Sequence, residues 1–157
     1  MDSFGTDEAI HRLVERYSPM LLRLAMTRLT QTADAEDCVQ EVFLKLLERR
    51  PVFRDTEHEK AWLIRATLNQ ACDLWRTRRR QVSLDALPET AESAHCSLLS
   101  AVRALPDKYS AVIHLHYYEG YTIKEIATML ALPAATVGTR LARGRTMLKT
   151  ILKEEES

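Results

Sequence analysis

The chain is poor in the residues that interrupt regular structure: its 157 residues include only 4 glycines and 5 prolines, and no stretch alternates apolar and polar residues as a strand does. Strand-built architectures are excluded on that ground, and the lack of any internal repeat excludes a solenoid. An all-α globular protein remains, one domain of ordinary size or two small ones. Net charge is also missing, since Lys+Arg and Asp+Glu number 22 each, so the chain as a whole is no indiscriminate polyanion binder. The three cysteines, Cys38, Cys72 and Cys96, are far apart and show no paired spacing with the 5 histidines. That excludes a disulfide framework and a metal site; Cys38 and Cys72 fall in helical stretches and read as small core hydrophobes, and Cys96 as an exposed thiol. No metal or other cofactor is expected. There is no charged leader ahead of an apolar run and no uninterrupted apolar stretch of bilayer-crossing length, so a cytoplasmic protein with no membrane insertion of its own is expected. The acidic residues are accompanied by no metal-ligand or phosphate-cradling signature, which argues against an enzyme.

What the chain does have is charge sorted into blocks. Asp34, Glu36, Asp37 and Glu41 stand together without a base, whereas Lys60, Arg65, Arg76, Arg78, Arg79 and Arg80 share their stretch with Asp73 alone. Arg140, Arg143, Arg145 and Lys149 form a second basic block. Two positive surfaces flanking an acidic to neutral middle suit two contacts with one nucleic acid, although a solvated helix face explains either block singly.

Helical spacing is expected over residues 6–29, with Pro19 as a kink; over 33–49, with Val39, Val42, Phe43, Leu46 and Leu47 facing the core; and over 60–80, with Ile64, Leu68, Ala71 and Trp75 in one stripe. Periodicity fades between Gln81 and Ser97, which reads as a linker, and a second helical block follows from Leu98. Within it, Thr122 and Glu125 make a capping box, Ala131-Leu132-Pro133 a tight turn, and Val137, Leu141, Leu148 and Ile151 the buried side of a further helix. That is a helix-turn-helix pattern with Thr136, Gly138, Thr139, Arg140 and Arg143 left to face a major groove; the plainer alternative is a helical hairpin with a solvated basic face.

The stretches DAEDCVQEVFLKL (34–46) and VFRDTEHEKAWLIRATLN (52–69), then LPDKYSAVIHLHYYEGYTIKEIATML with ATVGTRLARGR, resemble the bacterial sigma-70-type RNA polymerase sigma factors of the small extracytoplasmic-function (ECF) group. The resemblance covers nearly the whole length and has two motif sets in the right order. It implies a region 2-like helical bundle over residues 1–80, a linker over 81–97 and a region 4-like helix-turn-helix domain over 98–157. It also implies binding to core RNA polymerase and promoter DNA, transcription initiation, and silencing by an anti-sigma factor. A stand-alone helix-turn-helix regulator binding operator DNA is the alternative, disfavoured by the core-docking motif.

Carried over residue by residue, the resemblance assigns Asp37, Gln40 and Glu41 to docking on the polymerase. Phe53 and Arg54 with the loop after them, Asn69, and Arg65, Arg76, Arg78, Arg79 and Arg80 fall to the minus-ten element and its melting. Stacking or pocket capture of an unpaired base is worth about 1–3 kcal/mol, which offsets unstacking. Phe53 can serve that role or simply pack; Trp62 and Trp75 stand where a helix needs core residues. Thr136, Thr139, Arg140, Arg143 and Arg145 fall to the minus-thirty-five element, the arginines to guanine edges or to phosphates. The chain departs from the family pattern at Ala135 and Gly144, and most at Gly138, where a basic residue is usual. There the missing side chain costs the helix about 1 kcal/mol relative to alanine.

Overall fold

The computed structural model of the protein describes residues 7–85 and 97–156. Helix α1 spans Asp7–Ala25, α2 Thr32–Arg49, α3 Thr56–Asp85, α4 Ser97–Ala104, α5 Asp107–Ile113, α6 Ile123–Leu130 and α7 Ala134–Glu156. No strand occurs among the described residues. Helix α1 runs through Pro19 as one element. Proline removes one hydrogen bond, and the buried Leu13, Tyr17, Leu21 and Leu24 on both sides of it keep the helix on the core. Arg50 closes α2 in the left-handed conformation (φ 44°), its N–H returning to the Leu46 carbonyl. Asp55 opens α3, its carboxylate accepting from the His58 N–H at 2.8 Å. The helix then continues through Asp85, so residues 81–85 of the expected linker are helical; 86–96, and Cys96 with them, lie outside the described residues.

Helices α1–α3 bury Leu21, Leu24, Val42, Leu46, Leu63 and Ile64 almost completely. Each such side chain contributes about 1.5–3 kcal/mol of transfer free energy. Beyond that core Ala25, Ala35, Cys38 and Ala71 meet as a cluster of small residues that brings α1, α2 and α3 close. The Cys38 thiol donates to the Thr67 carbonyl, and burial pushes its pKa up to about 12, which makes it the inert core residue expected. Leu47 departs from expectation: it is 37% exposed, as one more step along α2 carries it off the core side.

In the second half, α5 runs on through a single π-turn, His114–Tyr118, marked by the Glu119 N–H bonding the His114 carbonyl. Gly120, at φ 81°, then turns the chain toward α6. Gly144 lets α7 approach α5: a Cβ there would stand 3.0 Å from Ile113 Cγ1 and 3.4 Å from Tyr109 Cβ.

The two halves are packed against each other. Arg28, in the turn after α1, is buried, and its guanidinium donates to the carbonyls of Arg103 (3.2 Å) and Leu105 (3.0 Å) and to Ser110 Oγ (3.1 Å), and pairs with Asp107. Arg103 reciprocates, its Nε donating to the Met26 carbonyl at 2.7 Å. Cys72 belongs to this joint rather than to the core: it is half-buried and its thiol donates to Asp107 Oδ2 at 2.9 Å. A second pin is the two-pronged bond of Arg23 to Glu119 (3.0 and 3.1 Å), with buried His114 on the same carboxylate at 2.8 Å. Burial alone would raise the Glu119 pKa, but Arg23 and His114 outweigh it and hold the carboxyl below its ordinary value. His114 is lowered, mainly by burial, so its neutral ring donates to the carboxylate.

Candidate docking and nucleic-acid interfaces

On α2, Asp37 and Gln40 are exposed and Glu41 half-buried on the side away from the core. The stripe continues into apolar residues, with Leu44 51% and Leu47 37% exposed one and two turns further on. Two large leucines thus stand open beside the acids on one side of α2. The spacing 37, 40, 41, 44, 47 was present in the sequence, yet Leu47 joins the core there on pattern alone and Leu44 attracts no notice. Asp34 is not part of the open patch: Arg78 holds it at 3.0 Å and reaches Asp37 at 3.9 Å.

Along α3, Arg65, Asn69, Arg76 and Arg80 fall at intervals of four, seven and four, which puts them on one face, and all four are exposed. Arg76 also contacts Asp73 at 3.3 Å. Arg79 lies elsewhere, its guanidinium 5.0 Å above the Trp75 ring, whose surroundings also include Arg28 at 5.5 Å. Arg78, committed to α2, is likewise off the shared face. Phe53 is half-buried, its ring edge-on to His58 (5.4 Å) and to Trp62 (6.1 Å), and it packs on the core. Arg54 is exposed beside it, its N–H bonded to His58 Nδ1 at 3.1 Å. Both tryptophans are half-buried and packed on core clusters, Trp62 on the main one and Trp75 on the small-residue one.

The helix-turn-helix is α6 and α7. Its capping box forms as the residues require, Thr122 Oγ1 accepting from the Glu125 N–H at 3.1 Å and the Glu125 carboxylate from the Thr122 N–H at 2.9 Å. Those bonds hold the Glu125 carboxyl below its ordinary value. Ala131 takes the left-handed conformation at the turn (φ 56°), and the Pro133 carbonyl accepts from the Thr136 and Val137 N–H groups in the first turn of α7. Ile126, Met129, Val137 and Leu141 are buried, leaving the outer side of α7 open.

Thr136, Thr139, Arg140 and Arg143 line a shallow cleft of about 260 Å³ together with Lys108 and Tyr109 of α5. Three bases and no acid border it. Tyr109 is buried, and the Arg143 guanidinium holds its phenol below the ordinary pKa. Lys108 is the residue that sequence reading missed; it is 28 positions before Thr136, and only the packing of α5 against α7 brings it here. Arg145 is not brought to the cleft. It projects from the other flank of α7, and its Nη1 donates to Tyr117 Oη at 2.6 Å. Gly138 sits on that flank too, with nothing within 4 Å of a Cβ position. Among the described residues no group of His, Cys, Asp and Glu is placed to hold a metal ion, and no helix is long and apolar enough to cross a membrane.

Comparison with known proteins matches residues 13–81 to Sigma-70 region 2 and residues 97–148 to Sigma-70 region 4. The chain is 28% identical to the ECF RNA polymerase sigma factor SigW of Bacillus subtilis, over 96% of this chain and 92% of that one. It is 32% identical to the ECF RNA polymerase sigma factor SigL of Mycobacterium tuberculosis, over 90% and 88%. Among solved structures, CnrH in complex with the cytosolic domain of CnrY is similar at a TM-score of 0.71 and 26% identity, covering 96% of this chain and 91% of that one. The sigma factor RpoE in complex with the anti-sigma factor NepR from Bartonella quintana shares the fold at a TM-score of 0.71 and 22% identity, over 91% and 96%.

Proposed function

The chain belongs to the ECF RNA polymerase sigma factors of the sigma-70 family, and from that premise we propose how its surfaces divide the work of initiation. It is an alternative sigma factor that binds core RNA polymerase and directs promoter recognition and transcription initiation. In this reading residues 1–80 act as a region 2-like domain and 98–157 as a region 4-like domain, with 81–97 between them. Asp37, Gln40 and Glu41 dock on the polymerase, with Leu44 and Leu47 supplying apolar contact beneath the charges. Arg65, Asn69, Arg76 and Arg80 follow the promoter backbone and bases at the minus-ten element, with Phe53 and Arg54 at the upstream end of α3. Arg78 and Arg79 add positive potential there while bracing Asp34 and Trp75. At the minus-thirty-five element Thr136, Thr139, Arg140 and Arg143 contact the duplex, and Lys108 adds a phosphate contact from α5. Arg145 braces Tyr117 instead.

One observation carries this division: an acid-and-leucine stripe and a basic cleft, each open to solvent, lie on different helical units in the order of the two matched regions. The protein works in the cytoplasm in this reading, and phosphodiester chemistry stays with the core enzyme. The similar structures are complexes with the anti-sigma factor NepR and with CnrY, which supports an anti-sigma partner for this chain.

The test is transcription from a pool of genomic fragments by the source organism's core polymerase, with and without the protein. New starts sharing a two-part upstream motif are expected. The pair Gln40→Ala/Glu41→Ala should lose core binding and keep binding to promoter fragments, and Arg143→Ala the reverse. If both variants lost both activities equally, the division would be wrong.

A further inference from the structure

We infer that a second copy of this chain docks on α7, the acid-and-leucine stripe of one copy lying in the basic and apolar trough of the other. Beside the basic cleft runs a second groove of about 430 Å³, lined by Tyr109, Ala142, Arg143, Thr146 and Met147, and Tyr109 and Arg143 border both. Met147 is 37% exposed there. Cleft and groove together make one trough, with Lys108, Arg140 and Arg143 at its charged end, a methionine and an alanine at the other, and no acid lining either. A phosphate backbone gives the apolar end no partner. An amphipathic helix with acids at one end and large apolar side chains at the other does.

The chain carries such a helix itself. Along α2 the order is acids first and leucines after: Asp37, Gln40 and Glu41, then Leu44 and Leu47. Arg78 approaches Asp37 to 3.9 Å and leaves it exposed. At about 1.5 Å per residue, Asp37 to Leu47 covers about 15 Å of helix axis and Thr136 to Met147 about 16 Å. Laid side by side in the same direction, the acids of α2 meet Arg140 and Arg143 while its leucines meet Ala142 and Met147. Acids and bases number 22 each, so no net charge repels one copy from another, and their sorting into blocks gives the attraction a direction. Stripe and trough are different patches, so the contact is head-to-tail and either closes as a pair or adds further copies. A contact one helix wide is small for a specific interface, so it should be reversible, with a Kd of about 10–100 μM. Each contact covers the polymerase-docking stripe of one copy and the promoter cleft of the next. That consequence rests on the sigma-factor reading; the contact itself does not.

Sedimentation equilibrium of the full-length chain, with reductant present, supplies the test. At about 100 μM protein and about 0.05 M salt the weight-average mass should exceed that of a single chain by at least about 1.5-fold. It should return to the single-chain mass at about 0.5 M salt, where exposed charges are screened. Two charge-reversed variants locate the surfaces, Asp37→Lys/Glu41→Lys and Arg140→Glu/Arg143→Glu. Each alone sets like charges against each other and should sediment as single chains, whereas an equimolar mixture restores opposite charges at every contact and should associate again. Far-UV circular dichroism establishes that both variants are folded. A parent chain that stays single at low salt would overturn the inference and leave the trough to a different partner. Association that survives in either variant alone, or a mixture of the two folded variants that stays single, would overturn it as well. None of these outcomes involves polymerase, so the sigma-factor reading stands or fails separately.

Discussion

The two glycines of α7 provide a sharp internal comparison, since replacing either by alanine removes the same helix-propensity cost while the packing consequences are opposite. Alanine in a helix interior is favoured over glycine by about 0.8–1.0 kcal/mol. At Gly138 an added Cβ meets nothing within 4 Å, so Gly138→Ala should gain nearly all of that. For a protein of this size the expected rise in Tm is about 2–4 °C. At Gly144 the Cβ would lie 3.0 Å from Ile113 Cγ1, 3.2 Å from Cδ1 and 3.4 Å from Tyr109 Cβ. Ile113 is 4% exposed and has little room to retreat, so the overlap costs about 1–3 kcal/mol and cancels or exceeds the propensity gain. Urea denaturation followed by far-UV circular dichroism should therefore rank Gly138→Ala above the parent chain, and Gly144→Ala at or below it. Equal stabilisation by both substitutions would refute the close approach of α5 and α7 at Gly144. A loss at Gly138 would refute the open flank there.

Other outcomes follow from the same contacts. Lys108→Ala and Arg143→Ala should each weaken promoter binding in fluorescence anisotropy and flatten the log–log salt slope by about 0.9, whereas Arg145→Ala should leave the slope unchanged and lower stability through the lost Tyr117 bond. Gly138→Arg should likewise leave the slope unchanged, since Gly138 shares the flank of Arg145, away from the cleft. Leu44→Ala should reduce affinity for core polymerase about tenfold in a competition assay while leaving stability almost unchanged, because the side chain is half exposed in the free protein. The pin at Glu119 should weaken in acid. His114 sits below its ordinary 6.5 and Glu119 below its ordinary 4.5, so the unfolded chain binds more protons than the folded one as pH falls. Stability should be highest above about pH 7, decline as pH drops through the ordinary imidazole value, and decline again in the carboxylate range. His114→Gln should remove the first decline in pH-stepped thermal melts, and its persistence in that variant would place the proton elsewhere.

Local chemistry decides a great deal of this protein. The scarcity of glycine and proline, the 3.6-residue spacing of leucines and the acid and base blocks are enough for the helical class, and the order of two motif sets is enough for the family. The capping box at Thr122 and Glu125 involves residues three apart, so nothing distant is needed to form it. The cleft arginines and the α2 acids were legible for the same reason: one helix turn sets which side they share. Only tertiary packing determined the rest. Lys108 joins Arg140 and Arg143 because Gly144 allows α5 to lie close on α7, and Arg145, already on the other flank by its place in the helix, finds Tyr117 as a partner there. Leu44 and Leu47 remain exposed because α1 and α3 pack on the side of α2 that carries Val42 and Leu46. Arg28 and Cys72 were unremarkable in the sequence and stand at the joint in the fold. Their partners lie 75–82 and 35 positions away, and a bond over such a separation has no periodic signature, since it exists only once both halves have been folded and brought together.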